Sequence, residues 1–192
     1  MEPVIDWEQR YQESTTGWER DHINPGFNEW RARFAASPGR VILPGCGRSP
    51  EVLAFAELGW QVVGVDLAQT AVTYQRQTLA EQGFDGTVIE SNIFDWQPDT
   101  PADLVYEQTC LCALHPDQWP AYEAQLRAWL RPGGSLAALF MQTGREGGPP
   151  FHCELSAMRA LFSEDHWEWD VQSFTSEHPI GIHEQGHWLI RR

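Results

Sequence analysis

The sequence predicts an α/β fold: a single-domain, doubly wound, mostly parallel sheet with helices on both faces, Rossmann-like in outline. Three observations carry that expectation. Residues 40–66 read R-V-I-L-P-G-C-G-R-S-P-E-V-L-A-F-A-E-L-G-W-Q-V-V-G-V-D, a strand, a glycine turn, a short helix and a second strand, in about the length that one βαβ unit needs. Further short apolar runs follow at 87–90, 103–107 and 135–141, separated by stretches with helical stripes. That alternation builds parallel sheets. At 192 residues the chain is long enough to bury one sizeable core. Residues 1–39 are expected to form a helical, aromatic lid over a core of residues 40–192, within one domain overall.

Taken in order, Trp7 and Tyr11 sit four apart on one face of a helix predicted over residues 4–12. Phe27, Trp30 and Phe34 repeat the spacing on a second helix that ends before Pro38, and core packing is the expected role of Trp30 and Phe34. Trp18 differs, because it lies in the loop T-T-G-W-E-R-D among helix breakers. Val41, Ile42 and Leu43 suit a strand buried on both faces. Ser49 is expected to cap the next helix, with Pro50 at its first position and Gly59 at its end. Val62, Val63 and Val65 form the second strand, and residues 67–82 a helix that returns the chain across the sheet. After the third and fourth strands, Trp119, Tyr122, Leu126, Trp129 and Leu130 stripe a helix that starts near Pro120 and stops at R-P-G-G. Residues 135–141 then read as a fifth strand and 154–162 as a helix. From Trp167 on, W-E-W-D-V-Q-S-F and H-W-L-I-R-R alternate as two strands expected to pair antiparallel at the sheet edge. His178, His183 and His187 are read as surface or packing residues.

The central unit also carries chemistry. Gly45 and Gly47 turn the chain and, lacking side chains, let a ligand approach the backbone. Asp66 ends the second strand, where an acid accepts hydrogen bonds from both hydroxyls of a ribose. Counting G-x-G-x-x-G from Gly45 puts Pro50 where the third residue should close the helix onto the strand. Pro50 also removes a backbone donor from the turn where a pyrophosphate would sit. Both features argue against a dinucleotide. S-adenosylmethionine, which has a ribose and adenine but no phosphate, suits the turn.

Loops that follow strand carboxyl ends line the crevice of such a sheet. Asn92 and Ile93, after the third strand, are therefore expected at an adenine, the amide on its edge and the isoleucine on its face. Trp18 can cover a sulfonium through cation–π attraction and exclude water from it. The loop Q-T-C-L-C-A-L-H-P follows the fourth strand, where cofactor and substrate meet, and Glu107 and His115 are the nearest candidates for a general base. Cys110, Cys112 and His115 make an incomplete ligand set, so no metal is expected. The stiff loop Q-T-G-R-E-G-G-P-P-F-H can place Phe151 and His152 against a substrate.

The formal net charge of -14 argues against a nucleic acid or an anionic membrane as partner, since either wants a basic face. A small-molecule acceptor is the better expectation. No run of about 18 apolar residues occurs, and the first twenty residues lack the order of a signal peptide. A cytoplasmic monomer with reduced thiols is therefore expected, the four cysteines showing no spaced framework.

The order W-E-Q-R-Y, T-G-W-E-R, L-P-G-C-G-R-S, V-V-G-V-D, C-A-L-H-P, G-G-P-P-F and M-R-A-L-F, spread over residues 7–167, resembles the thiopurine S-methyltransferase family, which includes plant-type halide and thiol methyltransferases. The resemblance implies a class I methyltransferase fold with S-adenosylmethionine as methyl donor. It likens Trp7, Tyr11 and Trp18 to the cofactor lid, and Leu43, Gly45 and Gly47 to the methionine-binding turn. Asp66 matches the ribose acid, and Asn92 with Ile93 the adenine contacts; Leu67 and Glu107 are counted with the cofactor-contacting residues. Thr109 and the loop bearing Phe151 and His152 resemble the substrate side. Two positions depart from the family: Asn92 stands in place of an acid, and Trp119 in place of an arginine near the substrate. The second departure implies poor binding of carboxylated thiopurines and a flatter or more apolar thiol.

The implied reaction is in-line displacement at the sulfonium methyl by sulfur. A thiol with a pKa of about 8.5 is already partly thiolate at neutral pH, so a strong base is unnecessary. Halide or thiocyanate needs none. An O- or N-methyltransferase would want a positioned base that these aromatic loops do not offer, and a non-catalytic S-adenosylmethionine-binding protein is the remaining alternative.

Overall fold

The computed structural model describes residues 5–192. The first helix, α1 (Trp7–Gln12), begins after Asp6, whose carboxylate accepts the Gln9 N–H at 2.9 Å; residue 4, where that helix was expected to start, lies outside the described residues. Then follow α2 (Pro25–Ala36), β1 (Arg40–Pro44), α3 (Glu51–Glu57), β2 (Gln61–Asp66), α4 (Gln69–Glu81), β3 (Thr87–Glu90) and β4 (Ala102–Gln108). The chain ends with α5 (Trp119–Trp129), β5 (Leu130–Gln142), α6 (Leu155–Leu161), β6 (Trp167–Glu177) and β7 (His183–Arg191). Seven strands form one sheet in the order β3-β2-β1-β4-β5-β7-β6. The five strands from β3 to β5 are parallel, and β7 runs antiparallel to both of its neighbours. Strand order reverses at β1, so a crevice opens outside the carboxyl ends of β1 and β4.

Alternation along the strands feeds two cores. Ile42, Val63, Val65 and Val105 face one side with Tyr122, Leu126 and Trp129 of α5 and Met158 of α6. Val41, Leu43, Val62 and Leu104 face the other with Phe27, Trp30 and Phe34 of α2 and Phe55 of α3. The expected core role of Trp30 and Phe34 is what the structure shows. Phe55 is the hub of that second core, its ring lying 4.8–5.8 Å from those of Phe27, Phe34, Trp60 and Tyr106.

Three local expectations need correction. Pro50, not Ser49, is the N-cap of α3, and the Ser49 hydroxyl donates to the Glu51 carboxylate instead. Glu51 is buried and also accepts the Asn24 N–H at 2.6 Å, and its own backbone N–H, the first of α3, donates to the Ser49 hydroxyl at 3.3 Å, so the serine serves both the buried acid and the helix end. R-P-G-G does not separate α5 from the next strand: Leu130 already pairs with Ala102, and pairing resumes at Leu104 and Ser135. Pro132 to Gly134 are taken up as an irregularity inside β5, with Gly133 at φ +74°. Finally, β6 and β7 do pair antiparallel at the sheet edge as expected, but both are longer than expected and β7 lies between β5 and β6, so β6 alone is the edge. Among the histidines of this hairpin, His178 and His187 are buried and His183 is exposed. No helix among the described residues is long and apolar enough to cross a membrane.

Removing the hub ring should cost about 3–5 kcal/mol, the usual penalty for a phenylalanine-sized cavity, so Phe55→Ala will shift the urea midpoint strongly downward. Val171, 98% exposed on the β6 bulge, serves as the control: Val171→Ala should stay within about 0.5 kcal/mol.

Candidate functional site

The site begins where β1 ends. Gly45 and Gly47 take φ of +53° and +50°, a region that favours glycine. A Cβ on Gly45 would come within 3.0 Å of Cys110 Sγ, and one on Gly47 within 2.8 Å of Tyr11 Oη. Two independent constraints, conformation and space, therefore require glycine. From α4, Gln75 braces the turn, its amide donating to the carbonyls of Gly47 and Ser49 at 2.9 Å each. At the end of β2, Asp66 accepts the Gly47 N–H on Oδ2 and the Ala68 N–H on Oδ1, both at 2.8 Å. Burial raises its pKa, and these backbone donors work against that rise.

The aromatic segment expected to form the lid lies directly on this turn. Trp18 meets Trp7 edge to face at 5.5 Å and Tyr11 at 5.9 Å, and the three rings pack on Ala68 and Ala71. Two ties hold the lid down. Glu8 accepts the Thr70 N–H and hydroxyl at 2.9 and 2.6 Å, docking α1 on α4. Arg48 gives a two-pronged bond to Glu19 at 2.6 and 2.5 Å and lies 5.1 Å over the Tyr11 ring. Beneath the lid is a cavity of about 30 Å³ lined by Trp18, Arg20, Leu43, Gly45, Tyr106 and Thr109, among others. That is roughly the space of one water.

The end of β4 brings Tyr106 and Gln108 to the cavity wall, and between them Glu107 is 1% exposed. Its Oε1 accepts the Leu111 N–H at 2.6 Å and its Oε2 has no partner among the described residues. Burial pushes its pKa up to about 8. Thr109 follows at φ +64° with its hydroxyl donating to the Gln108 carbonyl at 2.6 Å, a strained position at the cavity wall. The thiols of Cys110 and Cys112 are buried and pushed well above their ordinary pKa, which leaves them unreactive.

The other expected residues fall into two further groups. Asn92 and Ile93 lie in a loop hung from β2, where the Ser91 N–H donates to the Asp66 carbonyl at 2.9 Å. Ile93 is buried, Leu67 is 54% exposed, and the Asn92 side-chain oxygen accepts the Phe94 N–H at 3.0 Å, so it serves its own turn. The second group lies in the stretches that follow β4 and β5. His115 caps a 3-10 turn, its Nδ1 accepting the Asp117 N–H at 3.3 Å, and its ring meets Phe151 at 5.5 Å. Trp119 is buried, donating to the Leu111 and Leu114 carbonyls. Phe151 joins the two loops through its N–H to the Cys112 carbonyl at 2.7 Å, while His152 Nδ1 accepts the Thr143 N–H at 3.0 Å. Thus Trp18, Leu43, Gly45, Gly47 and Thr109 line one cavity, whereas His115, Trp119, Phe151 and His152 do not line it and brace the loops after β4 and β5.

Sequence reasoning missed Arg20, Gln75, Tyr106 and Gln108. Two of these carried a signal: Tyr106 and Gln108 flank Glu107 at a strand end. Arg20 and Gln75 carried none beyond an ordinary charge in a loop and an ordinary polar residue on a helix.

A carboxyl group whose folded pKa exceeds its unfolded value binds protons more tightly in the native state, so stability is fullest below about pH 4.5 and falls as pH rises towards 8. Glu184, raised by burial to about 7, adds to the same slope. Glu107→Gln should flatten it, with a gain over the parent on the order of 4 kcal/mol at pH 8 and little at pH 4.5, measured by urea unfolding.

The sequence pattern of the family described as "Thiopurine S-methyltransferase (TPMT)" matches residues 4–186. The "Probable thiol methyltransferase 2" of Arabidopsis thaliana is 31% identical over 154 residues, covering 78% of this chain and 68% of that protein. The "Thiopurine S-methyltransferase" of Pseudomonas putida (strain GB-1) is 31% identical over 172 residues, covering 79% and 78%. The fold is also that of Burkholderia thailandensis 1,6-didemethyltoxoflavin-N1-methyltransferase, solved with S-adenosylhomocysteine, at a TM-score of 0.74 and 18% identity over 100% of this chain and 93% of that one. A match over nearly the whole length, on a doubly wound sheet whose glycine turn and strand-end acid stand under an aromatic lid, places the chain in the thiopurine S-methyltransferase family, which includes thiol and halide methyltransferases, among the class I S-adenosylmethionine-dependent methyltransferases.

Proposed function

We propose that this chain methylates the sulfur of a small thiol, or a soft anion of like reactivity such as a halide or thiocyanate. The observation that carries the reading is the Asp66 carboxylate fixed on two backbone donors beside a glycine turn, beneath three aromatic rings. Those residues fit S-adenosylmethionine. Asp66 would accept from the ribose hydroxyls, the bare backbone at Gly45 and Gly47 leaves room for the methionine part, and Trp7, Tyr11 and Trp18 would cover it. Leu67, Asn92 and Ile93 would flank the adenine. The cofactor supplies a methyl group on cationic sulfur: as the acceptor's lone pair forms the new bond to carbon, the old carbon–sulfur pair returns to the donor.

The chain's own residues have the remaining task of alignment in a dry pocket. Glu107, with its pKa near 8, is mostly protonated at neutral pH and so is poorly suited to take a proton there until a cation beside it lowers that value. His115 holds its own turn. A thiolate needs neither, and the apolar wall of Trp18, Leu43 and Tyr106 suits a weakly hydrated sulfur. The names of relatives, including "Thiocyanate methyltransferase 1" of Arabidopsis thaliana, support the same acceptor class.

The test is S-adenosylhomocysteine release from purified protein with an aromatic thiol, a thiopurine, hydrosulfide, iodide, thiocyanate and a catechol. Turnover with the sulfur compounds or soft anions and none with the catechol is expected; silence with the whole panel despite tight cofactor binding would leave a binder rather than a catalyst. Asp66→Asn should weaken cofactor binding about tenfold or more by calorimetry, since the amide keeps only one acceptor. His115→Ala should keep at least about a tenth of the thiol activity, because partly ionised thiols need no base; a loss of three decades would assign His115 the proton.

A further inference from the structure

A second polar cluster gathers around Glu184 of β7, on the other side of β1 and β4 from Asp66 of β2, and reaches the cavity through Arg20. Arg20 and Glu184 have side chains 4% and 0% exposed. Arg20 Nη2 donates to Glu184 Oε2 at 3.5 Å and to the carbonyl of Glu177. Asn24 donates to the same carboxylate oxygen at 2.9 Å, while its own carbonyl oxygen accepts the Ser176 hydroxyl at 2.7 Å and the Gly26 N–H at 2.8 Å. The set is buried but incomplete. Arg20 Nε, Glu184 Oε1 and both ring nitrogens of His178 have no partner among the described residues. Buried polar atoms are normally satisfied, so this concentration of unpaired ones calls for a ligand.

Comparison with Arg48 sharpens the point. Arg48 uses Nε and Nη2 together on Glu19, and its charge is matched. Arg20 lines the same cavity, beside Leu43, Gly45 and Thr109, with its Nε–H unengaged among the described residues, a long contact to the Glu184 carboxylate and a bond to the Glu177 carbonyl. Its anchors lie on β7 and the end of β6, the half of the sheet away from the β2 acid that suits a ribose. Arg20 therefore belongs to the acceptor side. A protein of net charge -14 repels anions at long range, so an anionic acceptor needs a local cation. The neighbouring Trp18, Leu43 and Tyr106 would strip water from it, which disfavours strongly hydrated anions.

We propose that Arg20 holds the acceptor as a soft anion, a thiolate or its halide and thiocyanate analogues, against the cavity wall, with Glu184 and Asn24 as positioning residues. The proposal rests on the sulfur or soft-anion reading above and names the residue that recognises the charge. Arg20 is thereby a determinant of acceptor choice rather than of cofactor binding.

The probe is labelled thiocyanate in equilibrium dialysis against the full chain with saturating S-adenosylhomocysteine, alongside KM values for an aromatic thiol and thiocyanate. Arg20→Gln should weaken thiocyanate binding about tenfold or more and raise both KM values in step, with S-adenosylhomocysteine affinity by calorimetry within about threefold; Arg20→Lys should recover part of the loss. Because Arg20→Gln leaves Glu184 without its cation, the double variant Arg20→Gln with Glu184→Gln is measured beside it and should show the same loss of anion binding. Unchanged thiocyanate binding in these variants, or a parallel loss of S-adenosylhomocysteine, would overturn the assignment while active parent enzyme kept the acceptor reading intact. A parent that binds S-adenosylhomocysteine yet neither binds nor methylates any sulfur or soft anion would overturn both.

Discussion

Two hydrogen bonds, from Gly47 and Ala68 to the Asp66 carboxylate, tie the end of β2 to the turn after β1 and to the approach of α4. Much of the site is arranged around that clamp. The glycine turn keeps its left-handed conformation partly because its N–H has a fixed acceptor. The loop carrying Asn92 and Ile93 hangs from the Asp66 carbonyl. The lid packs on Ala68 and Ala71, at the start of the helix that the clamp orients. Burying the acid is unfavourable, and the backbone donors partly offset the cost.

The same logic recurs on the other side of the crevice with a different outcome. Glu107 and Glu184 are also buried acids, but each keeps one oxygen without a partner among the described residues, and burial pushes their pKa values up to about 8 and about 7. Groups of this kind subtract from stability at neutral pH. Glu107 sits on β4 and Glu184 on β7, and the neighbours that feel the Glu107 charge, Cys110, Cys112 and Tyr122, belong to an apolar core, which is why its burial is so costly.

The sheet, the glycine turn and the strand-end acid were legible in the sequence because each depends on local chemistry: alternation, the left-handed region and the end of a strand. The insertion of β7 and the continuation of β5 through Pro132 to Gly134 were not, since pairing partners are distant in sequence. Arg20 shows the limit most clearly. In the chain it is an ordinary charge in a loop, and its burial is imposed by a carboxylate 164 residues away. His115 and Trp119 show the converse, since their place in a crevice loop suggests ligand contact while the structure uses their ring nitrogens to hold that loop's backbone.

Tyr11 Oη lies so close to Gly47 that a single carbon added there would collide with it. The phenol oxygen thus fills the space that the missing side chain leaves, so the glycine that frees the backbone is also the seat on which the N-terminal helix rests.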